Sequence, residues 1–455
     1  MKPVSWTPID DKDVSMLNVQ EKLSYGLGDF ASAFTWASLS LYLMYFYTDV
    51  FGLSPALVGT LFLVTRLWDA VTDPAVGLLA DRTRTRFGRL RPYLLFFSLP
   101  LGAMLALTFT TPSLSENGRI LYAFVTYIAL MGLYTLVNIP YSALPVSMTT
   151  DNDERRQLTN YRMLLSYIAF VLISYATLPL VELLGNGDEQ RGFALTYALY
   201  GVITFLVFLL TFKGVRERYV EGDSASNPLK SLAHIARARP FWIMFATSIL
   251  IFTLMLMPDS AAIYFFKYYL GQESSVSLFL AMGYTSMVAG VIFNQLVMRR
   301  FCKRRVMIGA NLAYGLALAS FFVAADHGMP FYFAAFMAAK FINGVIAPTM
   351  WAMVGDIADY VEYESGRRAT GTTTSAVTFS QKFGMSIGGL LTGVLFSLYG
   401  YIPNTEQSET VLVLIKSMMS VMPAVGALGV AVLMLIYPLG DRRMAEIRTA
   451  KPTAA

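Results

Sequence analysis

Long apolar runs, separated by short polar stretches, follow one another along almost the whole chain. About 20 consecutive apolar residues are enough to cross the hydrocarbon core of a bilayer as a helix, because each helical residue adds about 1.5 Å. The pattern predicts twelve such helices, at residues 23–48, 54–80, 92–110, 120–148, 158–181, 193–212, 240–269, 275–298, 306–325, 330–356, 372–399 and 411–438. The chain is therefore expected to be an all-α membrane protein.

Composition supports this prediction and excludes a soluble globular chain. Hydrophobic residues make up 55% of the sequence and charged residues only 14%. The first 22 residues lack the apolar core and cleavage site of a signal peptide, so we expect no cleavable leader. Cys302 is the single cysteine, and neither histidine has neighbours at metal-ligand spacing. Disulfides, a structural metal cluster and a catalytic triad therefore have no support.

The Lys and Arg residues predict the orientation of the chain. Of the 35 basic residues, 27 fall in the N-terminal segment, the C-terminal tail and one set of alternate loops, whereas the other set holds only Arg119 and Arg191. Loops rich in Lys and Arg stay in the cytoplasm, so both termini should be cytoplasmic. The same asymmetry accounts for the net charge of +5 without a nucleic-acid partner.

The predicted helices divide into two sets of six. A cytoplasmic segment (1–22) precedes an N-terminal bundle (23–212), a polar linker (213–239) leads to a C-terminal bundle (240–438), and a cytoplasmic tail (439–455) ends the chain. A basic loop follows the second helix of each set, at 82–91 and 299–305. Six plus six helices with this repeated loop resemble the major facilitator fold.

Two acids in the second predicted helix are the strongest candidates for chemistry. Asp69 and Asp73 are four residues apart, so they share one helix face with Cβ atoms about 5 to 6 Å apart. Two such charges repel by about 3 kcal/mol at an effective dielectric near 20. The pair should therefore hold a cation, either a proton or a monovalent metal ion with Thr72 as an extra oxygen ligand. The alternative is a structural pair neutralised by Arg66.

Further charges inside the predicted helices are also candidates, because burying a charge in a membrane is costly. Six of them are basic: Arg66, Arg162, Lys267, Lys340, Lys382 and Lys416. Lys382 lies too deep to reach the interface and is the strongest substrate-binding candidate among them, followed by Arg162. Asp29 in the first helix can contact substrate, cation or a neighbouring helix. Thr135 and Asn138, one turn apart in the fourth helix, can reach the acid pair.

A third group of charges lies at the cytoplasmic end of the tenth helix. Asp356 and Asp359 precede the basic residue Arg367 in a short loop. Opposite charges at this position are typical of a gate that opens and closes as a transporter rocks. We therefore interpret these residues as a cytoplasmic gate of ion pairs rather than as a binding site.

Several segments in matching order resemble the glycoside-pentoside-hexuronide:cation symporters, the melibiose permease type of major facilitator. They are Lys22 to Gly26, Tyr47 to Leu53, Val58 to Leu63, Trp68 to Ala70 with Asp73 and Pro74, Asn138 to Tyr141, Asp356 to Tyr360, Lys382, and Gly400 to Asn404. The resemblance covers nearly the whole chain. It implies that Asp69, Thr72, Asp73 and Thr135 form the cation site.

Departures from melibiose permease concern the sugar site. This chain has Asn138 and Ala33 where that protein has Asp, and Ser142 where it has Trp, while Arg162 and Lys382 resemble retained basic residues. Asp29, Asn138, Ser142, Arg162 and Lys382 are thus the candidate substrate-binding residues. Losing acids while keeping bases favours an anionic substrate, so a glucuronide is expected to compete better than the matching glucoside.

The leading hypothesis is a transporter, not an enzyme, that couples import of a sugar, glycoside or hexuronide to Na⁺ or H⁺ by alternating access. Sodium is slightly favoured, because Thr72 and Thr135 add neutral oxygens to the carboxylates. The alternatives are a lysolipid or drug carrier and a non-transporting sensor. We expect no cofactor besides the coupling ion, no nucleic-acid partner, and a monomer in the lipid bilayer of a bacterial inner membrane.

Overall fold

The computed structural model describes residues 16–219, 234–255, 257–365 and 370–450, and their regular structure is helical. The helices are α1 (Val19–Leu41, continued by Leu43–Tyr45 and Phe46–Val50), α2 (Pro55–Arg82), α3 (Arg91–Thr108), α4 (Glu116–Met148), α5 (Asn152–Gly185), α6 (Glu189–Gly214), α7 (Arg239–Leu254, continued by Met257–Tyr264 and Phe265–Leu270), α8 (Val276–Arg300), α9 (Lys303–Ala324), α10 (Met329–Ser365), α11 (Thr370–Leu398), α12 (Glu409–Met419, continued by Val421–Leu435) and α13 (Asp441–Ala450).

Each of the twelve predicted apolar runs corresponds to one of the helices α1 to α12. Among the described residues, nine helical stretches are long and apolar enough to cross a membrane. Helices α1, α2 and α11 are of similar length but fall outside this set, and they carry many of the charged and small polar residues of the site. The all-α fold is confirmed, whereas a membrane crossing by all twelve helices stays a prediction.

Helices α1 and α7 end in the same unusual way. The last turn of each, Phe46–Val50 and Phe265–Leu270, is a π-helix, in which each N–H bonds to the carbonyl five residues back. These turns occupy equivalent places in the two halves of the chain. Because single π-helical turns occur frequently at functional sites, this shared feature draws attention to the ends of both helices.

We call α1 to α6 the N-terminal half and α7 to α12 the C-terminal half, because the helices of each group pack mainly on one another. Two seams join the halves, α2 along α11 and α5 along α8. At the first seam, a Cβ atom on Gly393 would lie 2.1 Å from the carbonyl oxygen of Pro55, and one on Gly59 would lie 2.9 Å from Cα of Leu390. Glycine at both positions lets the two backbones touch.

One end of the molecule is closed by hydrogen bonds between the halves. The buried carboxylate of Asp49, at the end of α1, accepts from Tyr268 and from Tyr401, the latter at 2.7 and 2.9 Å to its two oxygens. Lys267 Nζ lies 3.5 Å away, and the Asn404 amide donates to the Asp49 carbonyl at 2.8 Å. We call these five residues the closed-end cluster.

The opposite end is organised differently. Arg218 pairs with Glu21 at 2.7 Å within the N-terminal half, and Lys303 pairs with Asp356 at 2.7 Å within the C-terminal half. Neither contact joins the halves. Between the two ends, side chains of both halves surround the candidate site.

Candidate functional site

A cavity of about 260 Å³ lies between the two halves. Its lining combines hydroxyl, amide, charged and aromatic side chains: Asp29, Ser32, Ala33, Trp36, Tyr134, Asn138, Ser166, Phe170, Phe252, Thr378, Gln381, Lys382 and Met385. Helices α1 and α11 each contribute four residues at the spacing i, i+3, i+4 and i+7, which is one face of a helix. The cavity is therefore built by two facing helical stripes, one from each half.

The two acids of α2 lie beside this cavity and face a base of the other half. Lys382 Nζ of α11 lies 2.5 Å from Asp73 Oδ2 and 3.8 Å from Asp69 Oδ2, although Lys382 and Asp73 are 309 residues apart in sequence. Asp69 Oδ2 also accepts a hydrogen bond from Arg66 at 2.9 Å. Thr135 of α4 donates to Asp73 Oδ1 at 3.0 Å. The structure thus brings together Asp69, Asp73, Thr135 and Lys382.

One oxygen of the Asp69 carboxylate is available for a further ligand. Its side chain is fully buried, and Oδ1 has no hydrogen-bond partner among the described residues. A buried acceptor without a donor costs free energy comparable to a lost hydrogen bond. This oxygen, together with Asp73 and the Thr135 hydroxyl, is a set of hard oxygen donors that fits a small monovalent cation.

Thr72 lies apart from this donor set. Its hydroxyl donates to the carbonyl of Trp68 at 3.1 Å, one turn back on its own helix. It also lies 3.5 Å from the Asp69 carbonyl, and such back-bonding is common for threonine in helices. A role for Thr72 as a cation ligand stays a prediction.

Arg162 and Asp29 form an ion pair at the cavity. Arg162 Nε lies 3.1 Å from Asp29 Oδ2, and the guanidinium lies over the ring of Tyr141, 5.3 Å from its centre. Tyr141 in turn stacks on Tyr25. Gly28 allows this arrangement, because a Cβ there would lie 2.3 Å from the Tyr141 ring. Gly28, next to Asp29 in sequence, thus lets Tyr141 come close, and Tyr141 in turn supports the Arg162 guanidinium.

Of the other residues that the sequence analysis considered at the sugar site, some line the cavity and one does not. Asn138 and Ala33 line the cavity, and the Asn138 amide oxygen lies 3.5 Å from the Ser32 hydroxyl. Ser142, one turn farther along α4, is exposed and does not belong to the lining of this cavity. Its place in the substrate site stays a prediction.

The predicted gate residues are only partly described. Asp356 accepts from Lys303 Nζ at 2.7 and 2.8 Å, and both belong to the C-terminal half. Asp359 lies one turn later on α10, and Arg367 lies outside the described residues. The predicted gate of Asp356, Asp359 and Arg367 therefore stays a prediction.

Sequence reasoning missed an aromatic platform and an amide in the cavity. The rings of Trp36 and Tyr134 stack with centres 5.9 Å apart. The Gln381 side chain is 9% exposed, and its Nε2 has no partner among the described residues. Trp36 and Gln381 belong to the helical stripes, so for these two the repeat at i, i+3, i+4 and i+7 was the available sign, whereas Tyr134 lies on α4.

Apart from Arg66, which the sequence already suggested as a partner of the acid pair, it also missed the acid partners of the basic residues inside the helices. Each of the six bases singled out from the sequence has a carboxylate within 4 Å: Arg66 with Asp69, Arg162 with Asp29, Lys267 with Asp49, Lys340 with Asp259, Lys382 with Asp73, and Lys416 with Asp326. Compensation lowers the cost of holding a charge away from water.

Comparisons with known proteins agree with this architecture. The profile of the family described as MFS/sugar transport protein matches residues 24–441. The chain is 37% identical over 439 residues to YagG of Escherichia coli (strain K12), a protein provisionally named a glycoside/cation symporter, and the match covers 95% of each protein. It is 34% identical over 435 residues to the isoprimeverose transporter of Lactiplantibacillus pentosus, covering 93% of this chain and 89% of that protein.

Among solved structures, that of the nucleoside transporter NupG has a TM-score of 0.62 to this chain at 14% sequence identity, with 95% of this chain and all of NupG covered. At that identity the likeness concerns the fold alone. The family match and the two relatives confirm the resemblance seen in the sequence. The chain therefore belongs to the glycoside-pentoside-hexuronide:cation symporter type of the major facilitator superfamily, and it is a membrane transporter rather than an enzyme.

Proposed function

We propose that the protein imports a sugar or glycoside by symport with a monovalent cation, and that Lys382 links the two binding events. The observation that carries the proposal is the contact of Lys382, in the C-terminal half, with Asp73 and Asp69 in the N-terminal half. This ammonium occupies the position where a coupling cation would bind. A cation that enters must therefore displace it.

Displacement has a consequence for the neighbouring cavity. Lys382 also lines that cavity, so an ammonium released from the acids can donate to hydroxyl groups of a bound sugar. Without cation, Lys382 neutralises the acid pair in this conformation, so the empty site holds no uncompensated repulsion between the two carboxylates. Cation and sugar are thus coupled through one side chain that serves either the acids or the sugar.

The lining of the cavity favours a hydroxylated substrate over a lipid. Ser32, Asn138, Ser166, Thr378 and Gln381 supply hydrogen-bonding groups, and the stacked rings of Trp36 and Tyr134 offer an aromatic face. A few polar groups among aromatic surfaces are typical of small-molecule sites. The relative named an isoprimeverose transporter is consistent with a glycoside as substrate.

Sodium remains our proposal for the coupling ion. Asp69 Oδ1, Asp73 and the Thr135 hydroxyl provide several oxygens, whereas a proton needs only one carboxylate. The test is uptake of a radiolabelled glycoside, isoprimeverose first, into membrane vesicles with an imposed sodium gradient. Sodium-dependent accumulation supports the proposal. Accumulation that ignores sodium but collapses with a protonophore replaces sodium by the proton, and a carrier that moves lysolipid but no glycoside overturns the sugar assignment.

We further propose that the protein works as a monomer in a bacterial inner membrane with both termini in the cytoplasm. The distribution of Lys and Arg supports this orientation. The closed-end cluster then faces the outside, and the structure corresponds to a conformation shut toward the substrate supply. Labelling of Cys302, next to α9, tests the orientation: only a reagent able to cross the membrane should reach it in intact cells.

A further inference from the structure

The charges at the cavity balance within the protein itself. Asp29 and Lys382 line it, and three bases and three acids at or beside it form ion pairs: Arg66, Arg162 and Lys382 with Asp29, Asp69 and Asp73. The acid pair engages Arg66 and Lys382, and Asp29 engages Arg162. In this conformation each of these bases has an acid partner. Cation binding would free Lys382, an ammonium, while Arg162 stays paired with Asp29, so a substrate carboxylate would find the guanidinium already occupied.

The Arg162 guanidinium is the group best suited to a carboxylate. Its planar fork can hold two carboxylate oxygens through parallel hydrogen bonds, whereas an ammonium acts as a point charge. In this chain the fork already faces the carboxylate of Asp29 at 3.1 Å. Stacking over Tyr141 and the close approach of Gly28 hold the pair in place. Asp29 thus takes the position that an acidic substrate would need.

We infer that Asp29 sets the charge specificity of the carrier: it acts as an internal substitute for a substrate carboxylate, so that the site accepts neutral glycosides and rejects hexuronides. This inference rests on the proposed sugar transport. It reverses the preference that the basic residues favoured when they were considered without their partners. Removing the Asp29 charge leaves Arg162 without its acid, and a substrate carboxylate can then take that place.

The experiment compares a glucuronide with the matching neutral glucoside as competitors of glycoside uptake. In the parent protein the glucoside should compete better. In Asp29→Asn and Asp29→Ala the ratio should move toward the glucuronide by roughly tenfold, as expected for one charge-assisted hydrogen bond. In the double variant Asp29→Asn/Arg162→Gln the gain should disappear, because the fork is gone.

Asp153→Asn is the matched control. It removes one negative charge from the same half, but Asp153 is exposed and its partner is Arg156 at the start of α5. This variant should keep the competition ratio of the parent. A shift in the control equal to that of Asp29→Asn would mean that overall charge, not the Arg162 pair, governs selectivity, and would overturn the inference.

Binding to purified protein provides a second measurement that does not depend on transport. Thermal shifts of the parent with each compound should favour the glucoside, and those of Asp29→Asn should favour the glucuronide. A parent that binds glucuronide as well as glucoside overturns the inference, as does an unchanged preference in both Asp29 variants. A parent that neither binds nor transports any glycoside instead overturns the proposed function, so the two failures can be told apart.

Discussion

Two clusters of acids and bases within the helices of this transporter look alike but are connected differently. Asp69 and Asp73 contact Lys382, which belongs to the other half of the molecule. Asp259, 1% exposed on the middle segment of α7, pairs with Lys340 of α10 and accepts from Tyr284 of α8 at 3.1 Å. All three residues of this second cluster belong to the C-terminal half.

An ion pair between the halves can break when the halves move, whereas an ion pair inside one half can stay formed. When two halves rock against each other, a contact between them must form and break, whereas a contact within one half can persist. The contacts of Asp259 with Lys340 and Tyr284 hold the Met257–Tyr264 segment of α7 against α10 and α8. We expect them to stabilise the fold. The acid pair of α2 meets its base across the moving seam, and we expect it to act in transport.

The largest effect should follow from Asp69→Asn and Asp73→Asn. In the proposed cation site each change removes a charge that a coupling cation would compensate, so gradient-driven accumulation should be lost while the protein still folds and inserts. Accumulation and downhill exchange are measured in the same vesicles. Exchange can survive, because it needs no net movement of the cation. Either variant concentrating substrate as well as the parent would remove that acid from the cation site.

The second cluster predicts a loss of stability instead. Asp259→Asn or Lys340→Met leaves one buried charge without its partner, which typically costs about 3 to 5 kcal/mol. Thermal unfolding of the purified protein should show the loss for each single variant. The double variant Asp259→Leu/Lys340→Met should recover most of it, because no unpaired charge remains. Single variants as stable as the parent would show that the pair does not hold α7 in place.

Lys382→Gln should have a smaller effect, and it should strengthen cation binding rather than weaken it. The variant removes the ammonium that competes for the acid pair, so the apparent affinity for the coupling cation should rise by about tenfold, equivalent to about 1.4 kcal/mol. Sugar affinity should fall, because a donor is lost. The cation dependence of substrate binding measures both. Unchanged cation affinity would mean that Lys382 and the cation do not share a position.

The smallest effect concerns the ion pair between Asp326, in the loop after α9, and Lys416 of α12. Hydrogen bonds from Lys416 and Tyr269, with the nearby charge of His327, lower the pKa of the Asp326 carboxyl below its usual value. A lowered pKa stabilises the fold above the unfolded-state pKa, and this contribution is lost as the pH falls through the folded-state value. Since Asp326 is largely exposed, we expect less than about 1 kcal/mol.

Thermal unfolding between pH 6 and pH 3, compared with that of Asp326→Asn, measures this contribution. The parent should lose its small advantage over the variant toward the acid end of the range. An advantage that persists at low pH would mean that the ion pair does not depend on the ionised carboxylate.

Features within one helix could be predicted from the sequence, whereas partners between helices could not. The spacing of Asp69 and Asp73 places them on one face whatever surrounds them, and the apolar runs gave the fold. Lys382 was expected at the substrate, yet it contacts an acid 309 residues earlier in the chain. No local pattern encodes such a distance. Lys340 is a second example: the sequence analysis singled out this base inside a helix but did not identify Asp259, 81 residues earlier, as its partner.

The need to compensate charges inside the membrane would have reduced the number of possible partners for each base. A base inside a membrane helix needs an acid partner, so Asp259 should have been considered from the sequence as a candidate partner of Lys340, beside the other bases inside the helices. Trp36 and Tyr134 show the reverse case. Aromatic residues are so common in this chain that the helical spacing of Trp36 is a weak sign by itself, and the structure is needed to tell the four aromatic residues that line the cavity from those that pack in the interior.

The closed-end cluster has a consequence for the energy of opening. The buried Asp49 carboxylate accepts from two phenols of the other half and pairs with the Lys267 ammonium, and the Asn404 amide donates to the Asp49 carbonyl. Hydrogen bonds to a charged group have a net free energy of about 1.5 to 3 kcal/mol each. Opening this end therefore requires water to take over the solvation of one buried carboxylate, so the barrier to the outside depends on how readily that charge is hydrated.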